Sequence, residues 1–281
     1  YVSVLSSPGE VETAVIKREP SWTLRLDEHG PFDIIGDVHG CCDELEQLLE
    51  TLGYERDGSP AYRHAAGRKA VFLGDIVDRG PRTLDTIWLV KAMVDAGTAL
   101  CVPGNHDRKL SRKLQGRDVQ ITHGLEMSLA EIEALAEPER DRASKDIVQF
   151  FESLVSHYVL DSGKLVVAHA GMRQEFQGRA SNRVRNFALY GETTGETDEY
   201  GLPVRYNWAA EYRGRSMVVY GHTPVLSPEW LNGTINVDTG CVFGGSLTAL
   251  RYPERELISV PAARVYYEPA RPLGLPAPTL G

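Results

Sequence analysis

Five short clusters of aspartate, asparagine and histidine, set among glycines, stand one after another along this chain, and each follows an apolar run of strand length. They are Gly36-Asp37-Val38-His39-Gly40, Gly74-Asp75-Ile76-Val77-Asp78-Arg79-Gly80, Gly104-Asn105-His106-Asp107, Ala168-His169-Ala170-Gly171 and Gly221-His222-Thr223-Pro224. The apolar runs before them, at 32–35, 70–73, 99–102, 165–168 and 217–220, read as buried strands. Helical stripes separate the first three. Leu45, Leu48, Leu49 and Leu52 follow an N-cap at Asp43 and stop at Gly53, while Leu84, Ile87, Trp88 and Val94 pattern a helix over 83–96. Strand-helix-strand order implies parallel pairing with helices on the sheet faces. The polar clusters then collect past strand C-termini, where turns are free of core packing and helix N-termini face the crevice.

The rest of the chain is read around this frame. Residues 1–30, with Pro8, Gly9 and Pro20, form a linker or N-terminal arm; one domain spans 31–264; an extended tail covers 265–281. Helices are expected at 105–114, 125–136 and 140–157, and further strands at 234–237, 247–250 and 257–260. Within 172–215 no period dominates, which predicts an inserted substrate-facing region of loops. A length of 281 residues allows a single large domain, and 42% hydrophobic with 25% charged content excludes a mostly disordered or collagen-like chain. Thirty basic against 39 acidic residues, a net charge of -9, argue against broad attraction to nucleic acid or anionic membrane. No apolar run approaches the ~18 residues of a membrane span. Cys41, Cys42, Cys101 and Cys241 lack paired spacing, so they read as structural thiols in a reducing, cytoplasmic compartment. A chain that starts at Tyr1 reads as a piece of a longer protein.

Carboxylate, amide oxygen and imidazole together suit manganese, iron or zinc better than magnesium. Two such ions about 3.5 to 4 Å apart clamp a phosphoryl group and stabilise both attacking and departing oxygens, so phosphate-ester hydrolysis is the natural use. Arg108, Lys109, Arg112, Lys113 and Arg117 could steer RNA phosphates, and Arg173, Arg179, Arg183 and Arg185 could hold a terminal phosphate or neighbouring nucleotide. Tyr190, Tyr206 and Trp208 serve either base stacking or packing. His29, His64, His123 and His157 read as structural.

The run DVH, GDIVDRG, GNHD, AHAG and GHTP, from Asp37 to His222, resembles the binuclear metallophosphoesterase superfamily in its full motif order. That resemblance implies an α/β fold with a β-sandwich core flanked by helices. It implies Asp37, His39 and Asp75 as ligands of one divalent ion and Asp75, Asn105, His169 and His222 as ligands of a second, with Asp75 as the bridge and Mn2+ the usual metal. His106 is implied as proton donor to the leaving oxygen, oriented by Asp78 in a pairing that favours its charged form, and Arg79 as grip on the substrate phosphate. Asn105 and His106 would also touch substrate.

A narrower resemblance, to the phosphatase domain of bacterial polynucleotide kinase-phosphatase, rests on Trp22, on 27–32, 98–107 and 188–191, and on Asn236-Val237-Asp238-Thr239-Gly240-Cys241-Val242-Phe243-Gly244-Gly245. It implies hydrolysis of 3'-phosphate, 2'-phosphate and 2',3'-cyclic phosphate at RNA ends, with Asp238 positioning the leaving group. It also implies covalently linked kinase and ligase-like domains and an RNA ligase or methyltransferase partner. Sister families share the five motifs, so a dinucleoside polyphosphate hydrolase or a serine/threonine protein phosphatase is the alternative, and a non-catalytic metal-binding scaffold is the alternative of another class.

Overall fold

A computed structural model of the chain describes residues 6–13, 21–273 and 279–280. The first half runs α1 (Pro8–Thr13), β1 (Leu24–Arg25), β2 (Phe32–Ile35), α2 (Cys42–Leu52), β3 (Tyr54–Arg56), β4 (Tyr62–His64), β5 (Lys69–Phe72), α3 (Thr83–Asp95) and β6 (Ala99–Cys101). Three helices follow, α4 (Asn105–Leu114), α5 (Leu125–Glu133) and α6 (Glu139–Ser153), then β7 (His157–Leu160) and β8 (Leu165–Ala168). The remainder carries α7 (Asn182–Tyr190), β9 (Thr193–Thr197), β10 (Pro203–Tyr206), α8 (Trp208–Glu211), β11 (Met217–Tyr220), β12 (Trp230–Leu231), β13 (Thr234–Asn236), β14 (Ser246–Tyr252) and β15 (Glu256–Pro261).

β2, β5 and β6 pair in parallel, as the strand-helix-strand order requires, and β14 and β15 extend that sheet antiparallel beside β2. A second sheet runs β1-β7-β8-β11-β13-β12, parallel across β8, β11 and β13. The period of two along each strand then sorts side chains between layers. Phe32, Ile34, Val71, Leu73, Leu100 and Val102 of the first sheet share one buried cluster with Leu165, Val167, Val219, Ile235 and Val237 of the second. The alternate residues Ile35, Ala70, Phe72 and Cys101 pack with Leu45, Leu48, Ile87 and Met93 of α2 and α3. On the far side, Val166, Ala168 and Val218 meet Val184, Phe187 and Trp208. The fold is the expected α/β sandwich: two sheets face to face, with helices on both outer faces.

Three local differences have physical causes. The helix expected over 140–157 stops at Ser153, and His157 opens β7 instead, because His157-Tyr158-Val159-Leu160 is buried on every residue and pairs with β8 from Leu165 to Ala168. Leu24 and Arg25, in the expected N-terminal arm, pair with Val159 and Leu160. Residues 172–215 contain two helices and the β9-β10 pair. β9 is almost wholly exposed and so carries no apolar alternation, whereas α7, capped by Ser181, buries Val184, Phe187 and Ala188 at a helical spacing that the sequence reading missed. The remaining arm and tail expectations fall partly on 1–5, 14–20, 274–278 and 281, outside the described residues. Among the described residues no helix is long and apolar enough to cross a membrane.

Candidate metal centre

Every polar cluster sits just beyond a strand C-terminus: Asp37 and His39 after β2, Asp75 after β5, Asn105 and His106 after β6, His169 after β8, His222 after β11 and Asp238 after β13. The flanking glycines make this crowding feasible. A Cβ on Gly104 would lie 2.0 Å from Asp75 Oδ1, and one on Gly221 would lie 2.1 Å from Asp37 Oδ1. The backbone is bent as well, since His39, Asp75, Asp78, Arg79 and His222 all have φ between 46° and 76°. Left-handed conformations of this kind cost about 1–3 kcal/mol each and persist where surrounding contacts over-determine them.

Asp75 stands between two groups of ligand atoms, His39, Asp75 and His106 on one side and Asp75, His169 and His222 on the other, each group within 4.8 Å. Its Oδ2 lies 3.6 Å from His39 Nε2 and 3.5 Å from His169 Nε2. Its Oδ1 accepts the His106 amide at 2.8 Å. Asp37 accepts the His222 amide at 3.1 Å and approaches His169 Nδ1 at 4.0 Å. His39 Nδ1 donates to the Val77 carbonyl at 2.8 Å and His169 Nδ1 to the Leu73 carbonyl at 3.0 Å, which leaves both Nε2 atoms as lone pairs. His169 Nε2 faces Asn105 Oδ1 at 3.0 Å, two acceptors with no proton between them.

Arg79 and His106 form the adjoining side. The Arg79 guanidinium donates to His39 Nε2 at 2.8 Å and to His106 Nε2 at 2.9 Å, and it lies over the rings of Phe243 and Tyr267. His106 Nδ1 donates to Asp78 Oδ2 at 2.7 Å, and Asp78 Oδ1 accepts from Ser128 Oγ at 2.6 Å. The sequence assigned no role to Asp107 or Ser128. Asp107 accepts the amides of Ile76 and Gly104 at 3.0 and 2.8 Å and so ties the second motif to the third.

Burial dominates the electrostatics. It pushes Asp75 and Asp238 up to about 7 and Asp78 to about 6, and raises Asp37 well above the usual carboxylate range, with Asp238 and Asp75 adding repulsion. Burial also lowers His169 to about 3 and holds His39 and His222 well down. His106 moves down rather than up: burial, Arg79 and Lys109 outweigh the pairing with Asp78. A divalent cation would reverse this balance for the carboxylates, by favouring their ionised form, and would reinforce it for the imidazoles, which it needs unprotonated. The donor set fits one. His222 Nε2 is buried without a hydrogen-bond partner among the described residues, acceptors converge on one another, and a guanidinium cation already lies against two imidazoles.

Arg173, Arg179 and Arg183, the arginines expected to bind substrate, make their contacts apart from this network. Arg173 pairs with Glu192 at 2.5 Å, Arg183 lies over Phe176, and Arg179 is exposed. Trp208 is core, packed against Phe187, Tyr212 and Tyr220, whereas Tyr190 and Tyr206 are exposed. Arg205, on β10, escaped the sequence reading because no motif or period surrounds it. Its charge lowers both His169 and His222.

The model of the calcineurin-like phosphoesterase family matches residues 30–226. A relative from Anoxybacillus flavithermus, named bis(5'-nucleosyl)-tetraphosphatase PrpE [asymmetrical], is 49% identical over 235 residues, covering 84% of this chain and 96% of the relative. A relative of the same name from Bacillus subtilis is 47% identical over 238 residues, 84% of this chain and 97% of its own. A solved structure provisionally described as a diadenosine tetraphosphatase superposes with a TM-score of 0.61 at 26% identity, over 87% of this chain and 99% of that one.

Two expectations are corrected by these relatives. The RNA-end phosphatase reading gives way to the dinucleoside polyphosphate alternative, because proteins alike over nearly their whole length carry the tetraphosphatase name. The five motifs build only the shared centre, and substrate choice lies in residues around it. The linked kinase and ligase-like domains, the RNA ligase or methyltransferase partner and RNA ends as substrate go with that reading. The matched domain fills 96% and 97% of the two relatives and leaves no room in them for such neighbours.

Proposed function

The chain belongs to the calcineurin-like phosphoesterase family and is a phosphoesterase with a divalent metal centre, and from that premise we propose that it hydrolyses bis(5'-nucleosyl) tetraphosphates asymmetrically. The observation that carries this reading is the near-full-length likeness to relatives of that name. Cleavage off-centre in a four-phosphate bridge releases a nucleoside monophosphate and a nucleoside triphosphate. The alternative of a scaffold without turnover is withdrawn.

Asp37, His39 and Asp75 would hold one ion, and Asp75, Asn105, His169 and His222 a second, with Mn2+ proposed for both. When bound, the ions supply positive charge against phosphate oxygens and the attacking water. The residues of the chain do the rest. Asp75 holds the two ligand groups together, and Asp238, buried nearby, adds a third carboxylate to Asp37 and Asp75. Arg79, whose fork matches phosphate oxygens, can turn from the imidazoles to the substrate. Asp78, fixed by Ser128, then holds His106 with Nε2 toward the departing oxygen. The four free thiols suit a reducing, cytoplasmic setting.

The test uses purified chain with Mn2+ and diadenosine tetraphosphate, with products separated by anion-exchange chromatography. Equal amounts of AMP and ATP are expected. Two molecules of ADP would overturn the asymmetrical reading, and faster turnover of a ribonucleotide 3'-phosphate or a phosphoprotein would overturn the substrate class.

A further inference from the structure

Among the described residues outside the catalytic centre, one more group of ligand-bearing side chains converges in the interior. Cys41, Glu44 and Cys241 place a sulfur, a carboxylate oxygen and a sulfur within 4.8 Å of one another, and all three residues are buried. They come from distant parts of the chain: Cys41 caps the start of α2, Glu44 lies in its first turn, and Cys241 opens the 3-10 turn Cys241–Phe243. Sequence spacing hid the pair, because 200 residues separate the two cysteines that the sheets bring together.

Glu44 supplies an independent observation. It is 3% exposed, and its Oε2 meets no hydrogen-bond donor among the described residues. Its Oε1 is fully engaged, accepting from the Ala263 amide at 2.9 Å and from the Tyr266 hydroxyl at 2.7 Å. One oxygen anchored by outer partners and the other left bare is how a carboxylate is oriented for a cation. A buried carboxylate oxygen without any partner is otherwise expensive.

We propose that Cys41, Glu44 and Cys241 form a second, buried metal site that takes a soft divalent ion, Zn2+ by preference. Two thiolates and one carboxylate carry three negative charges, of which the ion cancels two, and the two thiol protons pass to solvent as it binds. Sulfur donors select zinc, cobalt or cadmium over the manganese and magnesium that suit oxygen-rich centres. A disulfide between the two cysteines would leave Glu44 Oε2 bare, whereas an ion engages all three side chains. Such an ion ties α2 to the turn after Asp238 and, through Glu44, to Ala263 and Tyr266. It would brace the loops that carry His39 and Asp238 without entering the reaction.

The centre described above holds no sulfur, so thiolate absorption reports on this site alone. Metal-free full-length chain is titrated with Co2+ alone. Thiolate-to-cobalt charge-transfer absorption in the near ultraviolet is expected to reach a plateau whose amplitude corresponds to one thiolate-bound cobalt per chain, to vanish on addition of excess Zn2+, and to be lost in Cys241→Ser and weakened in Glu44→Gln. Failure of that absorption in the wild-type chain at saturating Co2+, or its persistence in Cys241→Ser, would overturn the proposal. Should Cys241→Ser not fold, zinc X-ray absorption on the wild-type chain decides: two sulfur neighbours at about 2.3 Å support the site and none rejects it. Freshly purified chain lighter by the two hydrogens of a disulfide would also reject it.

Discussion

Asp75 is the side chain shared by both groups of ligand atoms, and its neighbour His106 does a different job. Asp75 touches His39, His169 and the His106 amide, whereas His106 is held by Asp78 and Arg79. Asp75→Asn is therefore expected to lose both bound ions and turnover, and His106→Ala to keep its ions while turning over more slowly, as read by elemental analysis and kcat. Equal ion loss in both variants would refute the division. A general acid contributes about 10²- to 10⁴-fold when the leaving oxygen is basic. The phosphate oxygen leaving a tetraphosphate is already a stable anion at neutral pH. His106→Ala is thus expected to cost an alkyl phosphate ester more than it costs diadenosine tetraphosphate, and equal losses would argue against proton donation.

Among the elements, α3 shows how a helix start is stabilised from outside itself. Arg82 at its N-cap makes no capping hydrogen bond, and the orphan amides of Thr83 and Leu84 donate instead to Glu131 of α5, at 2.8 and 2.9 Å. Glu131→Ala is expected to lower stability by about 1–2 kcal/mol in urea unfolding, with kcat unchanged. A neutral effect would mean that water satisfies those amides equally well. The β9-β10 pair matters in another way, by bringing Arg205 near His169 and His222. Arg205→Ala is expected to raise KM for diadenosine tetraphosphate about tenfold, the scale of one charge-assisted phosphate contact, with ion content preserved. An unchanged KM would remove Arg205 from substrate binding.

For the molecule as a whole, the second sheet introduces a pH dependence through His157 at the start of β7. Its ring is fully buried, its Nε2 accepts the Gly178 amide at 2.9 Å, and burial lowers its pKa from 6.5 to about 4. The unfolded chain therefore binds a proton near pH 6.5 that the folded chain refuses until about pH 4. Stability from this residue is fully present above pH 6.5 and is lost as pH falls toward 4, by about 3 kcal/mol in all. His157→Gln keeps an acceptor for the amide and removes the proton site. Its unfolding free energy is expected to vary less between pH 7 and pH 4 than that of the wild-type chain, and parallel curves would exclude His157 as the source. Chelating the catalytic ions is expected to abolish hydrolysis while far-ultraviolet circular dichroism keeps its helical signal, because three apolar clusters hold the layers without them.

The sequence by itself determined the parallel strands and the rim that carries the ligands, because continuous apolar runs and glycine-flanked turns are local facts: Gly104 and Gly221 mark where a neighbouring carboxylate must fit. It also determined the strand Leu165–Ala168 and a helix near 105–114, which is α4. Only the tertiary structure decided which residues from different strands touch. Ser128 behind Asp78, Arg205 within electrostatic reach of His222 and Cys241 against Cys41 leave no trace in spacing, since they are brought together by the packing of elements far apart in the chain. Substrate choice escaped the motifs for the same reason: five strand ends fix the chemistry of the centre, and the surfaces that meet the rest of the substrate are assembled around them by packing.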